Sequence, residues 1–141
     1  MREILFRGKR IFDNGQWVEG FLLKVTLDGE TWHLIFGDDF QRSGLGITAM
    51  QHAAVNPSTV GQYTGLKDKN GKRIFEGDEL SWHNGSGAVN FGGGCFCVRL
   101  HGEIECYGRN NPAIDVIFNL YPELEVIGNI HDKPEPPKED A

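Results

Sequence analysis

Turn chemistry repeated along the chain limits this fold more than any other feature. Asn14-Gly15, Asp28-Gly29, Asn70-Gly71 and Glu76-Gly77 each separate short apolar runs. Asn-Gly and Asp-Gly are strong hairpin signals, because the commonest two-residue hairpin turn needs φ > 0 at both central positions. Nineteen of the 141 residues are glycine, about twice the usual ~7%, and much of that excess falls in these turns. Glycine weakens helix interiors, so short strands are expected and long helices are not. The size allows one compact domain or two very small ones. A coiled coil, a wholly disordered chain and a large α/β enzyme are excluded.

Between the turns, Ile4 to Arg7, Gln16 to Leu23, Thr31 to Phe36 and Val60 to Gly65 read as strands. Lys72 to Phe75, Glu79 to Trp82, Val89 to Leu100, Ile104 to Tyr107 and Glu125 to Ile130 continue the series. Residues 37–46 have no period and read as a loop. Ile47 to Val55 fits either a strand or one helical turn. Ile114, Ile117, Phe118 and Tyr121 recur at helical spacing, with Asn111 as N-cap, Pro112 at N1 and Pro122 as the stop. Residues 132–141 hold three of the six prolines and no large apolar side chain, so they are expected to be a disordered tail. Residues 13–20 echo 69–77, each with an Asn-Gly turn, a short strand and a Glu-Gly break. Duplication and chance reuse of hairpin chemistry both account for the echo.

The formal net charge of −6 gives no global basic field for a phosphate backbone. Arg2, Arg7, Lys9 and Arg10 cluster early, and Lys67, Lys69, Lys72 and Arg73 cluster midway. Solvated strand edges and hairpin tips explain both groups, since basic side chains discourage edge-to-edge pairing. The three cysteines are odd in number and confined to one stretch, unlike a secreted disulfide framework. No apolar signal segment opens the sequence and no run approaches a membrane span, so the expected compartment is the cytoplasm, with no membrane partner.

Cys95, Cys97, His101 and Cys106 form the most suggestive chemical set. Zinc takes thiolate and imidazole ligands tetrahedrally, but Cys-x-Cys is tighter than the usual ligand spacing and no second paired motif follows. Alternation places Cys95 and Cys97 on one strand face, where free cysteine packs as a small hydrophobe. A nucleophilic Cys-His pair rests on composition alone, and adjacent Asp38 and Asp39 would point to opposite faces of a strand. Gly92-Gly93-Gly94 leads into a strand rather than the Gly-Lys-Ser/Thr and helix of a phosphate loop. No catalytic, cofactor or metal residue is therefore expected. The candidate binding surface is Tyr63, Lys67, Lys69, Lys72, Arg73 and Trp82.

The run from Val60 to Asp78, Val-Gly-Gln-Tyr-Thr-Gly-Leu-Lys-Asp-Lys-Asn-Gly-Lys-Arg-Ile-Phe-Glu-Gly-Asp, resembles the signature of the YopX family of phage and prophage proteins. Arg2 to Arg10, Asn14 to Gly20 and Glu125 to Ile130 agree with it, in the family's order. The resemblance implies a small β-rich protein whose later part folds like an SH3-type barrel, with self-association and no established reaction. Within the run, Glu76-Gly77-Asp78 has the form that opens a strand, with Gly for the turn and Asp capping it through its side chain.

The fold expected is mainly β: an N-terminal β-hairpin region over 1–58, an SH3-like small β-barrel over 59–131, one short helix and the tail. The function expected is that of a non-enzymatic phage accessory protein, binding or assembling through its β surface with an unidentified host or phage protein. A nucleic-acid-binding barrel using Arg2, Arg7, Lys67, Lys69, Lys72 and Arg73 is the alternative. A small metal-binding protein or enzyme ranks below it.

Overall fold

Alternating side chains and turn glycines shape the backbone much as the turn pattern requires. The computed structural model describes residues 4–12, 15–37, 47–92, 94–101 and 112–132, with backbone only over 47–49. The elements are β1 (Phe6–Lys9), β2 (Trp17–Leu27), β3 (Glu30–Phe36), α1 (Ile47–Ala53), β4 (Gly61–Lys67), β5 (Arg73–Phe75), β6 (Asp78–Trp82), β7 (Gly85–Gly92), β8 (Cys95–Leu100), α2 (Ile114–Leu120) and β9 (Glu125–Asn129). The protein is mainly β, as expected, with two antiparallel sheets, neither closed into a barrel. The chain divides into two units, Met1–Gly65 and Leu66–Ala141, and the division falls inside β4.

In the first unit the strands lie in the order β3-β2-β1-β4. Asp28 and Gly29 take φ of 52° and 81°, the left-handed values that a two-residue hairpin needs, and Leu27 pairs with Glu30 across them. Gly20 has a different role. A Cβ there would come within 2.0 Å of the Phe36 carbonyl oxygen, so only glycine lets β2 and β3 meet at that point. Ile47 to Val55 resolves its two readings in sequence. It forms α1 first, then Ala54 and Val55 bridge to Leu34 of β3 and to Arg10. Val18, Ile35 and Val55 make one buried cluster, and Leu34, Ala53 and Ala54 make another.

In the second unit β4 ends and turns through Asn70-Gly71, where Gly71 has φ 79°, into β5. The sheet order is β8-β7-β6-β9. The helix spacing at 114–121 is present as α2, whose Ile114 and Ile117 join Ile74, Leu80, Trp82, Val89, Val98 and Leu124 in the core. Its N-cap is Ala113, which makes no side-chain cap bond, so Pro112 precedes the cap rather than occupying the first helical position. The expected N-cap Asn111, the strand over 104–107, Asp38, Asp39, Arg2, Cys106 and most of the 132–141 tail lie outside the described residues.

Candidate functional site

The basic turn is organised by a carboxyl group rather than by its lysines. Asp68 is buried, and its Oδ1 accepts from the backbone N–H groups of Asn70 and Lys72, each at 2.9 Å. Its Oδ2 accepts from Val126 N–H at 3.0 Å, which ties the turn to β9. Burial pushes this carboxyl's pKa up, but the three amides and the Lys72 charge outweigh it and the net shift is downward. A carboxyl with a lowered folded pKa contributes stability above its unfolded pKa, and that contribution is lost as pH falls through the folded value. Stability should therefore decline below about pH 4, and Asp68→Asn should flatten that decline while costing about 1–3 kcal/mol at neutral pH. Thermal unfolding of both proteins across the acid range tests this, and parallel pH profiles would sink it.

Lys67, Lys69 and Lys72 are exposed and Arg73 is half-buried. Lys69 Nζ lies 3.6 Å from Glu125 Oε2, so part of the positive charge is already answered on the surface. The two aromatics expected beside these residues are elsewhere in packing terms. Trp82 is 9% exposed and stacks on Tyr121 with ring centroids 5.7 Å apart. Tyr63, in the first unit, is 6% exposed. Both strands turn these side chains inward, so neither offers a ring face for a ligand to stack on.

The early basic cluster also departs from a solvated edge. Arg7 and Arg10 are buried. The Arg7 guanidinium sits 4.6 Å from the Trp17 ring centroid and Lys9 Nζ sits 5.5 Å from it, a cation–π arrangement. The β1–β2 register, which pairs Lys9 with Trp17 and Arg7 with Glu19, sets this up.

The thiols divide as well. Cys97 is buried and Cys95 is exposed, so core packing accounts for only one of them. No group of three or more metal-ligating side chains occurs among the described residues. His101 Nε2 lies 3.9 Å from Glu79 Oε1.

A further feature lies on the first unit, where alternate positions 21, 23, 25 and 27 are all apolar. Phe21, Leu23 and Leu27 stand on one face of β2 and are 70%, 49% and 47% exposed. Val25, between them, packs with Trp32, Leu34 and Met50. At the hairpin end a cavity of about 290 Å³ is lined by Leu27, Asp28, Glu30, Trp32, Met50 and Gln51. On the opposite face, Leu22 and Ile35 belong to the other buried cluster, and only the turn end is polar, where Thr26 and Thr31 share a hydroxyl hydrogen bond of 3.1 Å. The stripe leaves three large apolar side chains of one strand exposed.

The YopX protein family profile matches residues 6–136 of this chain. The chain belongs to the YopX family. The match takes in every element of both units, so the turn carrying Asp68 and the Gly77-Asp78 strand opening are features of a YopX protein. The structure is also similar to the crystal structure of protein EF1440 from Enterococcus faecalis. The two are 20% identical, the similarity covers 96% of this chain and 98% of that one, and the TM-score is 0.50. That likeness concerns the fold. No curated protein matches the chain. Among the described residues, no helix is long and apolar enough to cross a membrane.

Proposed function

We propose that this YopX protein is a non-enzymatic, phage- or prophage-encoded accessory module that acts in the bacterial cytoplasm by assembling with a second copy of itself. The exposed stripe of Phe21, Leu23 and Leu27 is the observation that carries the reading. A two-fold interface uses the same patch on both subunits, so one apolar stripe suffices, and removing its side chains from water favours pairing. The odd, clustered cysteines suit a reducing compartment. The alternative, nucleic-acid binding, draws on exposed Lys67, Lys69 and Lys72, but it lacks an accessible aromatic at Tyr63 or Trp82.

Sedimentation velocity of the natural chain and of a Phe21→Ser, Leu23→Ser variant tests the proposal. The natural chain should show a concentration-dependent dimer, and the variant a monomer with an unchanged circular dichroism spectrum. Identical sedimentation of the two would overturn the assignment to this stripe. The same preparations titrated with single- and double-stranded oligonucleotides test the alternative. Salt-dependent binding that disappears on changing the three lysines to alanine would establish it.

A further inference from the structure

Residues two apart in a strand share a face, and this puts the side chains of Cys95 and Cys97 side by side on β8. Their Sγ atoms are 3.7 Å apart. Both thiols turn toward the Gly92 carbonyl, at 3.8 Å from Cys95 Sγ and 3.5 Å from Cys97 Sγ. Gly92 is the residue opposite Cys95 in the β7–β8 register. A Cβ at Gly92 or at Gly94 would meet nothing within 4 Å, so the hairpin end is open beside the thiols. One thiol is exposed and the other buried, which gives the pair an entry sulfur and an inner sulfur.

We propose that Cys95 and Cys97 are a reversible dithiol–disulfide pair that exchanges with low-molecular-weight disulfides. Cys95 Sγ, as thiolate, attacks one sulfur of the small disulfide, the external S–S bond breaks, and one small thiolate leaves and takes up a proton. Cys97 Sγ gives its proton to solvent and attacks Cys95 Sγ, expelling the second small thiol. Two protein thiols are oxidised to one disulfide, and the external disulfide is reduced to two thiols. Closure moves the sulfurs from 3.7 Å to about 2.05 Å. The ring it forms spans only three residues and so gains little from lost chain entropy. A bond of that kind is labile and returns easily to the dithiol. Burial pushes the Cys97 thiol upward in pKa, and its neighbour Cys95 adds to the shift, so the second step should quicken as pH rises.

The test is incubation of the full chain, and of its Cys106→Ser and Cys106→Ala variants, with glutathione disulfide, followed by acid quench, alkylation and peptide mass mapping. The expected product has lost two hydrogens and is unalkylated at Cys95 and Cys97, and dithiothreitol restores both thiols. Adding Cys97→Ser should trap a lasting glutathione adduct on Cys95. A persistent adduct in chains that retain Cys97, a Cys95–Cys106 bond instead, or no reaction at either sulfur would each overturn the proposal.

Discussion

Asp78→Ala is expected to destabilise the second unit by about 2–5 kcal/mol, because two buried donors lose their acceptor together. Asp78 Oδ2 accepts from Phe75 N–H at 2.8 Å, and Oδ1 accepts from the Asn129 side-chain amide at 3.1 Å. Asn129 Oδ1 in turn accepts from His131 N–H at 2.8 Å. Gly77 makes the geometry reachable with φ 93°, and its own N–H and C=O bond to Val89 and Ile130. Asp78→Asn keeps the shape and one acceptor oxygen, so it should cost less than alanine. Urea unfolding followed by circular dichroism measures both. A loss below about 0.5 kcal/mol, the scale of an ordinary surface substitution, would mean that the carboxyl is not the clasp described.

Trp82→Ala should have an effect of similar size, about 3–5 kcal/mol, from lost burial and the cavity left behind. The ring stacks on Tyr121 at an interplanar angle of 18° and belongs to the core that α2 covers. It also lies over Gly85, its partner across the β6–β7 turn, where a Cβ would meet Trp82 Nε1 at 2.7 Å. Trp82→Phe should recover part of the loss by keeping an aromatic against Tyr121. Melting temperatures of the three proteins give the order natural chain, phenylalanine, alanine. Equal values for phenylalanine and alanine would show that stacking contributes nothing beyond volume.

The parts of this fold that were legible in the sequence are those that local chemistry decides. Asp28 and Gly29 both take positive φ in their hairpin turn, and in the Asn70-Gly71 turn the positive φ falls on the glycine. Glu76-Gly77-Asp78 opens a strand as its form implied, with the Asp side chain capping the turn it follows. The apolar spacing at 114–121 is a helix because that face meets the core. What was not legible depends on partners far away in the chain. Asp68 meets Val126 across 58 positions, and no local pattern marks one aspartate among exposed lysines as a buried acceptor. Tyr63 and Trp82 belong to the expected binding surface, but strand parity turns both inward. A solvated edge is the expectation for Arg7, yet the strand pairing that brings Trp17 beside it gives the guanidinium an aromatic face. Cys95 escapes the burial of Cys97 despite sharing its face, because Cys95 lies at the hairpin end. Burial along a strand is graded by position as well as by alternation.

The place of β9 in the second unit also governs when that unit can fold. β6 lies between β7, which follows it directly, and β9, which begins at Glu125. Asp78 and Asn129, joined by a side-chain bond, are 51 residues apart. During synthesis β6 can pair with β7 early, but its other edge waits until Asn129 has left the ribosome. Contacts of such long sequence separation slow folding, since the loop must close before they form. Until then a half-built sheet leaves Leu80 without Val126, its partner on β9, and exposes apolar surface of the kind that chaperones bind. Deleting β9 should therefore arrest the second unit as an aggregation-prone intermediate.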